Sequence, residues 1–172
     1  MVQGGTLVPV KGNRIGFGGA EPVLIGPDVL YCAWRLGMRN SNAAWDLIED
    51  HDRFPVITPR ELAIFFGLWR EATDVELKEQ ERYWRVHLSQ LVGVLRWPNS
   101  LSLKVPKVVV DLHLTDARCT HAMTILAMQH YGITTYYTFA QQSMLWLSRR
   151  TGINVLIPKG GHELLGTDEM GE

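Results

Sequence analysis

The densest group of potential metal ligands in this chain lies between residues 111 and 121. It comprises Asp111, His113, Asp116 and His121. Asp111 and His113 alternate with apolar residues, which is typical of a strand and would place both side chains on one face. Divalent cations bind carboxylates and imidazoles, and hard cations such as Mg²⁺ prefer oxygen. The spacing matches neither an H-E-x-x-H motif nor a carboxylate triad, so polar edge residues and a hydrogen-bonded histidine are the other interpretation.

Two further acids could take part in catalysis but also have structural explanations. Glu61 closes the sequence Thr58-Pro59-Arg60-Glu61, a capping box with proline at the first helical position. Asp116 suits the first turn of a helix, where a negative charge interacts favourably with the helix dipole. Catalysis and helix capping therefore both remain open for these two carboxylates.

Composition limits the classes of function. The chain has 172 residues, of which 46% are hydrophobic and 20% charged, and this fits one globular domain with its own core. The net charge of -1 excludes nucleic-acid binding by bulk positive charge. Cys32 and Cys119 fit no C-x-x-C spacing and are expected to be reduced thiols of a cytoplasmic protein. The sequence contains no P-loop, no nucleophile elbow and no apolar run long enough to span a membrane.

Apolar periodicity and turn residues predict strands that alternate with helices. Short apolar runs predict strands at 22–25, 54–57, 133–137 and 153–157. Cap and first-turn residues predict helix starts near Asp28, Ser41, Thr58, Thr73, Thr115 or Asp116, and Gln141.

Three boundaries follow from weaker signals. The helix from Thr73 is expected to run to about Leu95, because its apolar residues form one stripe. The segment 101–112 contains three consecutive valines and is expected to be a loop or an extra strand. The next helix is expected to end at His130, before Gly132.

Strands separated by long crossovers predict a mostly parallel sheet with helices on both faces, that is, a three-layer α/β/α sandwich. This domain is expected to cover 22–158. Residues 1–21 are rich in glycine and predict an arm or hairpin around Gly12-Asn13, and 159–172 form a polar tail. Because an arm without a core tends to pack on another chain, we expect a homo-oligomer. Since no apolar run is long enough to span a membrane, we expect no membrane partner.

The C-terminal half of the domain resembles that of PIN-domain ribonucleases. The resemblance rests on THAMTILAMQHYGITTYYTFAQQSMLWLSRRTGINVLIP, residues 120–158, which matches the family's order of helix, glycine turn, strand ending in Thr-Phe-Asp, helix and last strand. Residues 23–31 resemble the family's opening strand, and 55–58 with the following helix resemble its second strand and acid-bearing helix. The resemblance implies a PIN-like fold that cuts single-stranded RNA with three or four carboxylates holding Mg²⁺ or Mn²⁺.

The acidic positions of that family lack carboxylates in this chain. The first acid falls on Gly26, the second near Ile64 or Phe65, the third on His121 and the fourth on Ala140. Such a site should not bind Mg²⁺. The resemblance therefore implies a degenerate domain, a pseudo-nuclease without a cofactor, that acts as an RNA-associated or protein-interaction subunit.

A shifted acidic site is the alternative. Asp116-Ala117-Arg118 resembles the Asp-Ala-Arg that carries the third acid in toxin-type members, while Asp28 and Glu61 lie near the first two positions. Asp28, Asp116 and Glu61 would then be catalytic, and Asp28, Asp111 and Asp116 would bind Mg²⁺ or Mn²⁺. The protein would be an active endoribonuclease with an antitoxin partner. A purely structural α/β interaction module is a third possibility, because a fold does not fix a function.

The candidates for RNA contact are Trp97, next to Arg96 in a predicted loop, and the pair Arg149 and Arg150. Aromatic rings stack on bases, and arginines bind phosphate. The other five tryptophans lie in predicted helices and are expected to belong to the core.

Overall fold

The computed structural model describes residues 19–67 and 71–164, together with the backbone of three short segments at 6–7, 9–10 and 14–15. The predicted Gly12-Asn13 turn, Trp69 and the 165–172 part of the tail lie outside the described residues. Within the described ranges, the chain alternates between short strands and helices, as the sequence predicts.

The described strands form one larger sheet and one hairpin. They are β1 (Thr6–Leu7), β2 (Pro9–Val10), β3 (Arg14–Ile15), β4 (Glu21–Ile25), β5 (Arg53–Ile57), β6 (Gly93–Leu95), β7 (Thr135–Tyr137) and β8 (Asn154–Leu156). β2 and β3 pair antiparallel. The larger sheet has the order β1-β6-β5-β4-β7-β8, and all its neighbouring strands are parallel. This confirms the mostly parallel sheet and shows that the N-terminal arm also contributes an edge strand.

The described helices lie between the strands of the larger sheet. They are α1 (Pro27–Trp34), α2 (Ser41–Ile48), α3 (Pro59–Phe65), α4 (Asp74–Tyr83), a π-helical turn (Trp84–Leu88), α5 (Asn99–Ser102), α6 (Val105–Asp111), a 3₁₀ turn (Asp116–Thr120), α7 (His121–Tyr131) and α8 (Gln141–Thr151). The structure is thus a three-layer α/β/α sandwich.

Alternating side chains of the central strands supply two apolar clusters, one on each face of the sheet. Val23 and Ile25 of β4 pack in the cluster that includes α1 and α2, whereas Leu24 packs in the cluster that includes α7 and α8. Neighbouring residues of a strand point to opposite faces. The parallel strands are therefore buried on both sides, which explains their continuous apolar sequences.

Capping residues correctly predict several helix ends. Thr58 and Glu61 form the complete capping box at the start of α3, and the side chain of Thr73 accepts a hydrogen bond from the Glu76 N–H at the start of α4. Gly132 ends α7 with φ +70°, a left-handed conformation that costs glycine little.

Several predicted boundaries are wrong. The helix from Thr73 ends at Leu88 after a π-helical turn, and Gly93–Leu95 form strand β6. The segment 101–112 is mostly helical, because α6 packs partly buried valines against the cluster of α7 and begins with proline in its first turn. The helix expected from Thr115 or Asp116 begins instead as a 3₁₀ turn, and α7 ends one residue later than predicted.

Candidate functional site

The chain reverses its direction across the sheet beside the central strand. From β4 it moves outward through β5 to β6, and it then crosses back to β7 on the other side of β4. In such sheets, the loops at the carboxyl ends of the two strands beside the reversal separate and leave a crevice in which ligands bind. Here those loops begin at Gly26 after β4 and at Thr138 after β7. These loops are the first candidate for a site.

Asp28 joins the two sides of this crevice. The side chain lies in the first turn of α1 and is only 1% exposed. Its Oδ2 accepts hydrogen bonds from the Thr138 hydroxyl at 2.9 Å and from the Phe139 N–H at 2.6 Å. The carboxylate is thus a connection between α1 and the loop after β7.

Gly26, to which the family resemblance assigns the first acid, has no room for a side chain. A Cβ built at Gly26 would lie 2.6 Å from Asp28 Oδ1 and 3.0 Å from the Tyr136 hydroxyl. The Gly26 N–H also donates to the Tyr137 carbonyl at 2.8 Å, which holds the two loops close together. Ala140, the position of the fourth acid, is fully buried immediately before α8. Neither family position can present a side chain to a ligand in this conformation.

Residues 158–164, here named the C-terminal strap, cover the same edge of the sheet. Gly161 lies so close to Phe139 that a Cβ on it would come within 2.4 Å of the ring. The Leu164 N–H donates to the Phe139 carbonyl at 2.7 Å. The strap therefore packs directly on the loop that Asp28 binds.

Polar contacts fix the strap at both sides of the crevice. The Asn40 side chain exchanges two hydrogen bonds of 2.8 Å with the backbone of His162. Glu163 accepts a hydrogen bond from the Gln142 N–H in the first turn of α8, where the helix dipole favours a carboxylate. The crevice is thus closed by groups of the protein itself.

A second buried polar cluster lies where β5 ends. Arg60 and Glu61 follow that strand in the first turn of α3 and are 3% and 0% exposed. Arg60 Nη1 pairs with Glu61 Oε1 at 3.3 Å, and Arg60 Nη2 donates to His121 Nε2 at 3.0 Å. Arg60 Nε donates to the Thr120 hydroxyl at 2.9 Å. The guanidinium therefore joins α3 to the start of α7.

Hydroxyl and amide donors also reach both oxygens of Glu61. Oε2 accepts from the N–H of Thr58 at 3.1 Å and from its hydroxyl, and Oε1 accepts from the Thr124 hydroxyl of α7. Glu61 therefore caps α3 and also binds α7. Phe65, assigned by the resemblance to the second acidic position, packs instead in the apolar cluster of α1, with its ring against Trp34.

Burial controls the protonation of two groups near these loops. The pKa of His121 is held well below its ordinary value of 6.5, first by burial and then by the charges of Arg60 and Arg118. The imidazole is therefore neutral at pH 7, and its Nε2 accepts from Arg60, which has only donors. Burial and the charge of Asp28 raise the pKa of Cys32 to about 12, so this thiol stays protonated.

The predicted group between residues 111 and 121 does not form one cluster. Asp111 ends helix α6 and pairs with Lys107 at 2.6 Å, so the expected strand is wrong. His113 and Asp116 are exposed in the turns that follow, with φ of 51° and 52°, whereas His121 is buried. In the described part of the chain, no three His, Cys, Asp or Glu side chains come together to hold a metal ion.

The predicted RNA contacts lie in two environments. Trp97 is half-buried, and its indole N–H donates to the Ser102 hydroxyl at 2.8 Å. Arg149 and Arg150 are exposed at the end of α8, as an RNA contact requires. Arg150 lies over the ring of Trp146, with 5.6 Å from Cζ to the ring centroid.

Sequence reasoning missed the residues that connect these elements. Arg60 stands inside a recognised capping box, but nothing local marks it as buried. Thr138 and Thr124 become ligands of Asp28 and Glu61 only through contacts between distant elements. A charged residue beside a capping glutamate, at the carboxyl end of a buried strand, is the one signal that could have suggested the ion pair.

No described helix has the length and apolar character needed to cross a membrane. No protein-family model matches the chain, and no curated protein is significantly similar to it in sequence.

Proposed function

We propose that the protein is a degenerate PIN-like domain that associates with RNA and does not cleave it by a metal-dependent route. The observation that carries this proposal is the buried guanidinium of Arg60, which pairs with Glu61 and contacts His121. A guanidinium is a permanent cation. It already neutralises the carboxylate that a metal ion would need.

Mg²⁺ or Mn²⁺ does not fit the residues at the carboxyl edge of the sheet. Mg²⁺ requires near-octahedral oxygen ligands and keeps several waters. Glu61 already accepts hydrogen bonds on both oxygens, Asp28 binds the loop after β7, and Gly26 has no space for a carboxylate. The protein would therefore work without Mg²⁺ or Mn²⁺ at this edge.

Exposed arginines are the feature of the surface that supports RNA as the partner. Arg118, Arg149 and Arg150 are exposed and make no ion pair with a carboxylate among the described residues. Arginine binds phosphate through charge-assisted hydrogen bonds. Arg118 and Arg150 both lie over the Trp146 ring, and local positive charge of this kind can attract RNA even though the net charge is -1.

Location and oligomeric state are separate parts of the proposal. The free thiols of Cys32 and Cys119 favour a cytoplasmic location. Strand β1 of the arm pairs with β6 of the same chain, so the homo-oligomer stays a prediction that the arm does not support.

The test combines metal binding, cleavage and RNA binding on the purified full chain. Mn²⁺ is titrated by calorimetry, a fluorophore–quencher single-stranded RNA reports cleavage with Mn²⁺ and with EDTA, and anisotropy of a labelled RNA reports binding. We expect RNA binding that persists in EDTA, without Mn²⁺ heat or cleavage.

Two variants separate the alternatives. Mn²⁺-dependent cleavage that is lost in both Asp116→Asn and Glu61→Gln would overturn the proposal and establish an active nuclease with a shifted site. Absence of both RNA binding and cleavage would overturn it in favour of a protein-interaction module.

A further inference from the structure

We infer that Arg118 and Arg150, whose guanidiniums both lie over the ring of Trp146 in α8, form a binding site for the phosphate groups of an RNA strand. This pair is named here the Trp146 arginine pair. The inference rests on the proposed function and locates its RNA contact. Neither Arg118 nor Trp146 belongs to the predicted contact residues.

The geometry of the pair is defined by one indole ring. The guanidinium carbons of Arg118 and Arg150 lie 5.1 Å and 5.6 Å from the centroid of the Trp146 ring. Both are within the distance at which a cation is attracted to the face of an indole. The two charges are therefore at most about 11 Å apart, comparable to the screening length of roughly 8–10 Å in physiological salt.

The charges of the pair are not compensated by the described protein. Neither arginine forms an ion pair with a carboxylate among the described residues, and the two nearby aspartates do not supply one. Asp111 is paired with Lys107, and Asp116, two residues before Arg118, is exposed without an ion pair in the described part of the chain. Two cations held at one ring repel each other, and an anion bound at either of them lessens that repulsion.

The groups behind the pair supply no uncompensated negative charge. His121 packs edge-on against Trp146, with ring centroids 5.2 Å apart. It is uncharged at pH 7 because burial and the neighbouring arginines lower its pKa. On its other side, the buried guanidinium of Arg60 lies 3.0 Å from His121 Nε2. Because that guanidinium is paired with Glu61, an anion at the surface meets no uncompensated carboxylate from this direction.

Arg150 is held in position before any ligand binds. Its Nη1 donates to the carbonyls of Leu112 at 2.7 Å and His113 at 3.3 Å. These bonds use one nitrogen of a group that has five N–H donors. Because the side chain is already ordered, binding of a phosphate costs less conformational entropy.

The same geometry indicates that the site contacts the phosphate backbone of RNA and not its bases. Trp146 is only 9% exposed, and the guanidiniums of Arg118 and Arg150 both lie over its ring. The ring is thus not available for base stacking. A nucleic-acid strand presents one phosphate at each nucleotide, so it can supply an anion to each arginine. A peptide with a single phosphoryl group cannot do so, and this favours RNA.

The test compares Arg118→Gln/Arg150→Gln with the wild type in binding a labelled single-stranded RNA of mixed sequence, by anisotropy from 50 to 300 mM KCl. We expect the double variant to bind at least about tenfold more weakly at low salt. Loss of two phosphate contacts should also reduce the slope of log Kd against log salt by about 1.4, at about 0.7 per contact for single strands.

Matched variants control for charge and folding. Lys78→Gln/Arg82→Gln removes the same charge from exposed positions of α4, which lies against α1 on the other side of the sheet. It should change the slope little. Arg118→Lys/Arg150→Lys keeps the charge and should keep the slope. Circular dichroism and the melting temperature show whether each variant is folded.

The outcomes separate this inference from the proposed function. If the wild type binds RNA and the folded Arg118→Gln/Arg150→Gln variant keeps its affinity and slope, the site is wrong and the proposed function stands. If the wild type binds no RNA, the proposed function fails too. Binding of a phosphoserine peptide, but not of RNA, through the same two arginines would also overturn the inference.

Discussion

Replacement of Arg60 by methionine tests the buried ion pair most directly. Methionine fills much of the same volume but cannot bind Glu61, which is fully buried beside it. Loss of one partner from a buried pair typically costs about 3–5 kcal/mol, because the other charge is left without compensation. Glu61 keeps its donors from Thr58 and Thr124, so we expect about 3 kcal/mol, at the lower end of this range.

Urea unfolding, monitored by circular dichroism, measures this loss of free energy of unfolding, and thermal unfolding measures the corresponding change in melting temperature. For a chain of this size, about 3 kcal/mol corresponds to a decrease of roughly 6–12 °C in the melting temperature. The double variant Arg60→Met/Glu61→Gln should be more stable than Arg60→Met alone by at least about 1 kcal/mol, because it buries no unpaired charge.

Arg85→Met is the matched control on the surface. Arg85 pairs with Glu81 at 3.1 Å, but both side chains are more than half exposed. Its loss should cost no more than about 0.5 kcal/mol. If Arg60→Met costs as little as Arg85→Met, or if the costs at Arg60 and Glu61 simply add, the two charges are not coupled in the interior. The argument that Arg60 replaces a metal ion would then be refuted.

Three further predictions concern single residues. The pKa of His121 is lowered on folding, so below pH 6.5 the unfolded chain binds a proton that the folded chain does not. The free energy of unfolding of the wild type should therefore fall as the pH decreases below 6.5, by up to about 1.4 kcal/mol per pH unit from this group. His121→Gln should flatten the dependence of this free energy on pH, as measured by urea unfolding, and parallel curves for variant and wild type would contradict this. With a pKa of about 12, Cys32 should resist iodoacetamide at pH 8 while half-buried Cys119 reacts, as measured by mass spectrometry; equal labelling would show that the Cys32 region opens. Gly161→Ala should lower the free energy of unfolding by about 1–3 kcal/mol, because the added methyl group meets the Phe139 ring; an unchanged melting temperature would mean that the strap does not pack there.

The sequence was informative where a local pattern and the fold agree. Thr58 and Glu61 predict the start of α3 because a capping box satisfies backbone groups within one turn, whatever the rest of the chain does. Gly132 predicts the end of α7 for the same reason. The parallel sheet follows from apolar strands that are buried on both faces, a property of each strand by itself.

The sequence was misleading where contacts between distant elements determine the local structure. Val108–Val110 favour a strand by intrinsic preference, but α6 gains more by packing on the cluster of α7. The expectation that Asp111 and His113 share one face depended on that strand, and the strand is absent because Val105–Asp111 form a helix. No pattern within α3 shows that Arg60 meets His121, because their contact depends on where α7 lies against the sheet.

The C-terminal strap has a consequence for the order of folding during synthesis. Asn40 and His162, which hold the strap, are 122 positions apart in the chain. At about 5–20 residues per second, the ribosome needs roughly 6–24 s to pass from the first to the second. Strands β4 and β5 can pair well before this, so the nascent chain presents an open edge to chaperones or to an RNA in the vicinity. The edge can close only after residues 158–164 have been synthesised.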